Sequence, residues 1–319
     1  MKRLIRLTGF VLASFLLASC ATHRTSPPPE VSAKAWAIAD GHTGKFLWGH
    51  NAEEPRKSAS TTKMMCAYVV LQLATQKPEV LDEVMTFSKL ADDTAGSTAG
   101  IKVGERISVR ECLYGLMLPS GNDAGNALAE HFNERFAPPD ERLLLLGLNA
   151  TGLVTRVRFI AEMNRTAQRL GLASTVYRSA FGDGGTPEDR TTTVRDLTRL
   201  AWHGMQNARF REIVRTQRHE TRVQTPDGGS REIVWKNTNQ LLPLNAGYDG
   251  VKTGTTEQAG ECLVSSGWRG GDHLFVAVLG SKTNPGRYAD TRSLYEWAWS
   301  QRVGTDPLRP SRKPSRPLR

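Results

Sequence analysis

Two hydrophobic periodicities alternate along the chain. Apolar-rich runs at 33–39 and 45–50 flank Asp40-Gly41-His42-Thr43-Gly44 and predict a β-hairpin. Residues 64–73 are almost continuously apolar, without Gly or Pro, and predict a helix buried on most sides. Ser108-Val109-Arg110-Glu111 has the form of a capping box opening a helix to about Leu118, where Pro119 breaks it. A second helix spans 123–136, with apolar residues on one face, and ends at Ala137-Pro138-Pro139-Asp140. Residues 143–148 form a leucine-rich patch of undefined structure, and 159–170 have helical periodicity. Thr193 is placed to cap a helix beginning at Val194. Alternation over 220–235 around Asp227-Gly228-Gly229 predicts a second hairpin. Strands at 260–268 and 273–281 meet at Gly270-Gly271-Asp272, and 288–299 form a closing helix. The β segments lie toward the two chain ends and the helices lie between. That order predicts an α+β domain whose sheet is assembled from both ends around an internal helical region.

The chain has 319 residues, 39% hydrophobic and 23% charged, which suits one large or two small domains and excludes wholesale disorder. No apolar run approaches the roughly 20 residues of a membrane-spanning helix. The net charge of +10 is concentrated at the ends: Lys2, Arg3, Arg6, Arg309, Arg312, Lys313, Arg316 and Arg319. Setting these eight aside leaves +2 for the body. That argues against a nucleic-acid-binding face.

The first three of those cations precede an 11-residue apolar stretch, 7–17, followed by Ala18, Ser19, Cys20 and Ala21. This is the pattern of a secretory signal peptide. Leu17-Ala18-Ser19-Cys20 also resembles a bacterial lipobox, which implies cleavage before Cys20 and a lipid on its sulfur. Ordinary cleavage after Ala21 is the competing reading. Either places the mature protein outside the cytoplasm, in the periplasm or cell envelope. Pro27-Pro28-Pro29 reads as a stiff spacer. The expected organisation is a signal segment at 1–20, a Pro-rich linker at 21–32, a domain at 33–302 and a basic disordered tail at 303–319. Cys66, Cys112 and Cys262 form no CxxC and no metal-ligand spacing, so neither a disulfide framework nor a metal site is expected. Cys66 and Cys112 fall in apolar helical stretches and read as small buried thiols.

Three short motifs carry chemistry. Ser60-Thr61-Thr62-Lys63 is an S-x-x-K, Ser120-Gly121-Asn122 an S-x-N, and Lys252-Thr253-Gly254 a K-T-G followed by Thr255. Each alone is weak, since Ser60 could be a helix cap, Ser120-Gly121-Asn122 a turn and Lys252-Thr253-Gly254 a strand end. Together, in this order, they match the set found in class A β-lactamases and penicillin-binding proteins, with S-D-N as the usual middle member. Residues i and i+3 share a helix face, so Lys63 can reach the Ser60 hydroxyl. Serine needs a base to become a nucleophile, and a lysine serves only if neutral. Partial burial beside another cation such as Lys252 favours the neutral form.

Residues 33–48, 55–65, 118–130 and 237–264 resemble the low-molecular-mass penicillin-binding proteins, and more narrowly the serine-type D-alanyl-D-alanine carboxypeptidases. The resemblance spans roughly 33–300. It implies the β-lactamase/transpeptidase-like fold, an antiparallel sheet flanked by helices with an all-helical subdomain. It also implies that Ser60 attacks the penultimate D-Ala carbonyl of a peptidoglycan stem pentapeptide while Lys63 accepts the hydroxyl proton. Backbone N–H groups of Ser60 and Thr255 would hold the oxyanion, and Ser120 would relay a proton to the leaving amine. Asn122 would bind the peptide amide. Lys252, Thr253, Gly254 and Thr255 would form the carboxylate end of the site, with Arg287 nearby. No metal or organic cofactor is needed, and β-lactams would acylate Ser60.

Thr255 stands where many relatives carry histidine, which touches substrate preference. Many relatives also carry a C-terminal β domain and an amphipathic membrane helix, for which nothing after Arg302 provides. A lipid on Cys20 would supply membrane attachment instead. The rival readings are an endopeptidase or β-lactamase of the same fold, and a non-catalytic wall-binding lipoprotein. For a β-lactamase, Glu162 and Glu188 are candidate water-positioning residues by count only.

Overall fold

The computed structural model describes residues 26–145, 154–182, 192–244 and 246–302. The signal segment with Cys20, the basic tail, Glu188 and residues 146–148 of the leucine-rich patch lie outside them. Five antiparallel strands form the main sheet in the order β2-β1-β9-β8-β7. These are β1 (Ala35–Asp40), β2 (Phe46–His50), β7 (Tyr248–Thr256), β8 (Gly260–Arg269) and β9 (Asp272–Ser281). The sheet is thus built from both chain ends, as the sequence pattern predicts.

Alternation explains its two covered faces. Ala35, Ala37 and Ala39 of β1 face one core with Phe275, Ala277 and Leu279 of β9. Trp36 and Ile38 face the other with Leu274, Val276 and Val278. Helix α1 (Lys63–Gln76) lies in the first core, with Met64, Met65 and Cys66 fully buried. Helix α2 (Lys89–Asp92) is a single turn, followed by α3 (Val109–Met117), α4 (Asn122–Phe132), α5 (Glu141–Leu145) and α6 (Val157–Arg169). Helices α7 (Val194–Gln206) and α8 (Ala208–Arg215) lead to the second hairpin, and α9 (Asn284–Arg302) closes the chain. Leu294, Tyr295 and Ala298 of α9 line the second core.

The predicted caps form with one change. Thr193 Oγ1 accepts from the Asp196 N–H at 3.1 Å. Ser108 Oγ accepts from the Glu111 N–H at 3.3 Å. The Glu111 carboxylate turns to His219 Nε2, 2.6 Å away, rather than back to the cap. Of the leucine-rich patch, Leu143 is buried whereas Leu145 is exposed.

One expectation is corrected. The hairpin predicted over 220–235, β5 (Arg218–Gln224) and β6 (Ser230–Lys236), does not join the main sheet. It forms a separate sheet, β3-β4-β5-β6, with β3 (Val84–Thr86) and β4 (Arg106–Ser108) from the helical region. Within the expected linker, Ser26 and Ser32 bond to α9. Ser26 O accepts from Trp297 Nε1 at 2.9 Å, and Ser32 Oγ donates to Asp290 Oδ2 at 2.7 Å, both on α9. Cys66, Cys112 and Cys262 are buried free thiols.

The turn that presents Ser120 is held by Asp123, which is 1% exposed. Its carboxylate accepts from Ala99 N at 2.8 Å, Gly100 N at 3.1 Å and Thr98 Oγ1 at 2.7 Å. Gly121 must be glycine for packing, since a Cβ there would sit 2.5 Å from Asp123 Oδ1 and 2.7 Å from Ala99 N. Asp123 also accepts from Ala124 N at 2.8 Å, so replacing it by Ala takes this acceptor from the Ala99 and Ala124 N–H groups, while Gly100 N keeps Thr98 Oγ1 at 2.7 Å. The expected result is a loss of about 2–4 kcal/mol in urea denaturation together with slower acylation by penicillin. Unchanged stability would show that the loop is held by something else.

Candidate active site

The first motif opens α1. Residues Ala59–Thr62 form a 3-10 turn that runs directly into the helix, so Ser60 lies one turn ahead of the α-helix rather than at its first residue. The i, i+3 spacing still does what it predicts: Lys63 Nζ donates to Ser60 Oγ at 2.8 Å. Lys63 is 0% exposed and also donates to Asn122 Oδ1 at 2.6 Å and to Phe181 O at 2.9 Å.

The second motif lies between α3 and α4. Ser120 adopts a left-handed backbone conformation, φ 69°, which costs a non-glycine residue about 1–2 kcal/mol. Its Oγ is buried and has no hydrogen-bond partner among the described residues. Ser60 and Ser120 both line a cleft of about 380 Å³. Asn122 is fully buried and holds Lys63 with its carbonyl, while its amide nitrogen donates to Ala95 O at 2.8 Å.

The third motif is on β7, the free edge of the main sheet. An edge strand presents unpaired N–H and C=O groups. Gly254 brings that edge against the turn that carries Ser60. A Cβ at Gly254 would sit 2.8 Å from Ser58 O and 3.0 Å from Ser60 N, so any larger residue would push the strand away. Thr253 Oγ1 is 2.6 Å from Thr238 Oγ1. Lys252 is 1% exposed and donates to Thr253 O at 3.0 Å. Burial, reinforced by the positive charges of Lys63 and Arg287, holds its ammonium well below the usual lysine value.

At the far end stands Arg287, in the first turn of α9 and 4% exposed. Its Nη1 donates to Gly254 O at 3.2 Å and Thr255 Oγ1 at 2.9 Å, and pairs with Glu261 Oε2 at 2.6 Å. Nη2 donates to Tyr288 Oη at 3.2 Å, and Tyr288 Oη donates to Thr238 O at 2.9 Å. Thr255 Oγ1 donates to Glu261 Oε2 at 2.9 Å. The structure therefore gathers Ser60, Lys63, Ser120, Asn122, Lys252, Thr253, Gly254, Thr255 and Arg287 about one cleft.

A family model described as Peptidase S11, D-alanyl-D-alanine carboxypeptidase, matches residues 21–134 and 154–283. The chain belongs to this family. It is 35% identical over 298 residues to a D-alanyl-D-alanine carboxypeptidase of Streptomyces sp. (strain K15), covering 92% of this chain and 96% of that one. It is 29% identical to the carboxypeptidase DacF of Bacillus subtilis, over 97% of this chain and 73% of the relative. The crystal structure of the Streptomyces K15 DD-transpeptidase superposes with a TM-score of 0.76 at 34% identity, covering 86% of this chain and 100% of that one. The protein is accordingly a serine D,D-carboxypeptidase of the transpeptidase fold.

Within this D,D-carboxypeptidase, the Asn122 carbonyl oxygen accepts from Lys63 and its amide nitrogen donates to Ala95 O, so Asn122 braces the lysine. Glu162, a water-positioning candidate by count only, pairs with Arg165 at 2.8 Å and with Arg169 on α6. Sequence reasoning missed Thr238, Tyr288, Glu261 and Phe181. Thr238 precedes the third motif by fourteen residues, and Phe181 O contributes only backbone, so neither carries a motif signal.

Lys252 makes stability depend on pH with a definite sign. The unfolded chain keeps this proton up to about pH 10.4, and the folded protein releases it earlier. Between those values the unfolded state binds more protons, so stability rises with pH. Lys252→Met removes that contribution. In thermal melts between pH 7 and 10, the wild type should gain on the variant as pH increases. A constant gap would mean that Lys252 does not titrate in this window.

Proposed function

We propose that the enzyme removes the terminal D-Ala from peptidoglycan stem pentapeptides through an acyl-enzyme on Ser60. The observation that carries this reading is the 2.8 Å contact between a fully buried lysine amine and the serine hydroxyl. In its neutral form the Lys63 amine accepts the Ser60 hydroxyl proton, the reverse of the donation in the resting structure, as Ser60 Oγ bonds to the penultimate D-Ala carbonyl carbon. Two buried amines close enough to influence each other favour release of a proton, which suits a lysine base. The oxyanion lies between the Ser60 N–H and the Thr255 N–H at the β7 edge. Collapse of the intermediate expels the D-Ala amine, which receives its proton by way of Ser120. The unpartnered Ser120 Oγ supports that role, because a substrate group completes its hydrogen bonding. Asn122 fixes Lys63, while Lys252, Thr253 and Arg287 form the end of the cleft toward the leaving residue. Water then cleaves the acyl-enzyme.

A β-lactam presents a strained amide to the same serine. Intact mass should show a one-to-one benzylpenicillin adduct lasting minutes or longer. Ser60→Ala should abolish the adduct and reduce D-Ala release by about a thousandfold or more, with the fold intact. Rapid penicillin turnover with little adduct would indicate a β-lactamase, and an active, labelled Ser60→Ala protein would remove Ser60 from the mechanism.

We also place the enzyme outside the cytoplasm, anchored by a lipid on Cys20. The charged segment, apolar stretch and Leu17-Ala18-Ser19-Cys20 sequence support this. One acyl chain holds only weakly, so stable attachment requires further chains or a basic patch, which the tail supplies in sequence. Among the described residues no helix is long and apolar enough to cross a membrane. Cys20→Ala should shift the protein from the detergent to the aqueous phase in Triton X-114 partitioning. Unchanged partitioning would favour cleavage after Ala21.

A further inference from the structure

Among the described residues, no strand of the second sheet lines the cleft that holds Ser60 and Ser120. The sheet nevertheless reaches the site through one short segment. Residues 95–100 run between α2 and β4 and hold Asn122 at two points. Ser97 O accepts from Asn122 N at 2.7 Å, and Ala95 O accepts from Asn122 Nδ2 at 2.8 Å. The second bond fixes the sense of the amide. With Nδ2 committed to a carbonyl, Oδ1 is turned to Lys63 Nζ, 2.6 Å away. A reversed amide would set its N–H groups against an ammonium and its oxygen against a carbonyl. The position of residues 95–100 therefore decides how Asn122 meets the lysine beside Ser60.

That segment is held from two sides. From α4, Asp123 Oδ1 accepts from Ala99 N at 2.8 Å. From β6, Trp235 Nε1 donates to Ala99 O at 2.8 Å. Trp235 is 3% exposed, and a buried indole N–H needs such a partner. Its ring lies over Gly115 of α3, where a Cβ would sit 3.1 Å from Trp235 Cζ2 and 3.0 Å from Ala99 Cβ. Arg231, also on β6, adds a second hold. Its Nη2 donates to Gly100 O at 2.6 Å, while Nε and Nη2 grip the two Glu105 oxygens, each at 2.6 Å. The Glu105 side chain is buried, so the guanidinium has a fixed seat. We propose that Trp235, supported by Arg231, is a positioning residue for acylation: it fixes residues 95–100, and through them the Asn122 amide, so that the second sheet aligns Lys63 with Ser60. The indole touches neither substrate nor the reacting atoms. The proposal rests on the D,D-peptidase reading, because it requires that Lys63 act on Ser60.

The test measures the second-order rate of acylation of the purified protein by benzylpenicillin, read by intact mass, with the melting temperature alongside. Trp235→Phe keeps an aromatic ring and removes the N–H that answers Ala99 O. It should acylate about tenfold more slowly, the scale of one buried hydrogen bond. Asn122→Ala removes the group through which Trp235 acts. In that background Trp235→Phe should change the rate by less than about twofold, whereas independent effects would multiply. Arg231→Gln changes a side chain that is 39% exposed and tests the same support if Trp235→Phe does not fold. It should acylate about threefold more slowly alone and no more slowly than its parent in the Asn122→Ala background. A lowered melting temperature with an unchanged acylation rate would make these residues structural struts and overturn the proposal. A full tenfold fall on adding Trp235→Phe to Asn122→Ala would also overturn it, since Trp235 would then act by another route. A wild type that forms no adduct would remove the peptidase reading and the proposal with it, whereas a normal adduct with unshifted variants removes the proposal alone.

Discussion

A buried ammonium group governs this structure. Lys63 has no exposure to water, and an isolated ammonium in such a place carries a penalty of several kcal/mol. Its acceptors come from its own turn, from the start of α4 59 residues on, and from a carbonyl 118 residues on. Each such bond contributes roughly 1.5–3 kcal/mol, so together they offset the desolvation with little surplus. The arrangement adds little net stability. What it provides is specificity of assembly, because failure of any one segment to arrive leaves a buried cation poorly solvated. The same requirement that joins the sheet region to the helical region also places a lysine amine against a serine hydroxyl.

Local strain and close packing follow from that demand. Gly254 lets the sheet edge touch the turn that carries Ser60, and Gly121 lets the second motif lie against Asp123 and Ala99. Ser120 keeps a left-handed backbone with its hydroxyl unanswered. These features are unfavourable taken singly, and the surrounding buried cores hold them in place. Strain concentrated where a substrate group must be received is consistent with a site organised before binding.

The sequence pattern disclosed the parts whose signal is local. The hairpin at β1–β2, the strands β8 and β9, the cap at Thr193 and the i, i+3 relation of Ser60 to Lys63 all depend on residues a few positions apart. The short strands β3 and β4 left no trace, since three residues cannot display a period of two convincingly. Without them the hairpin β5–β6 has no visible partner in the sequence, and its pattern points to the main sheet. The strand β7 is rich in Gly and Thr, so its motif was legible while its secondary structure was not. The family resemblance identified Arg287 as a site residue, but the Glu261–Arg287 pair was beyond reach. The two residues stand 26 positions apart and meet only because β8 and α9 converge beside β7.

That convergence divides the electrostatics of the cleft. At one end Lys63 and Lys252 are both buried amines, and burial with the charge of Lys63 holds the Lys252 ammonium below its usual value. At the other end the positive charge of the Arg287 guanidinium is met by a neighbouring anion. Glu261 is that anion, and Thr255 ties the two together through one hydroxyl. The two ends are linked along β7 and through Thr238 and Tyr288.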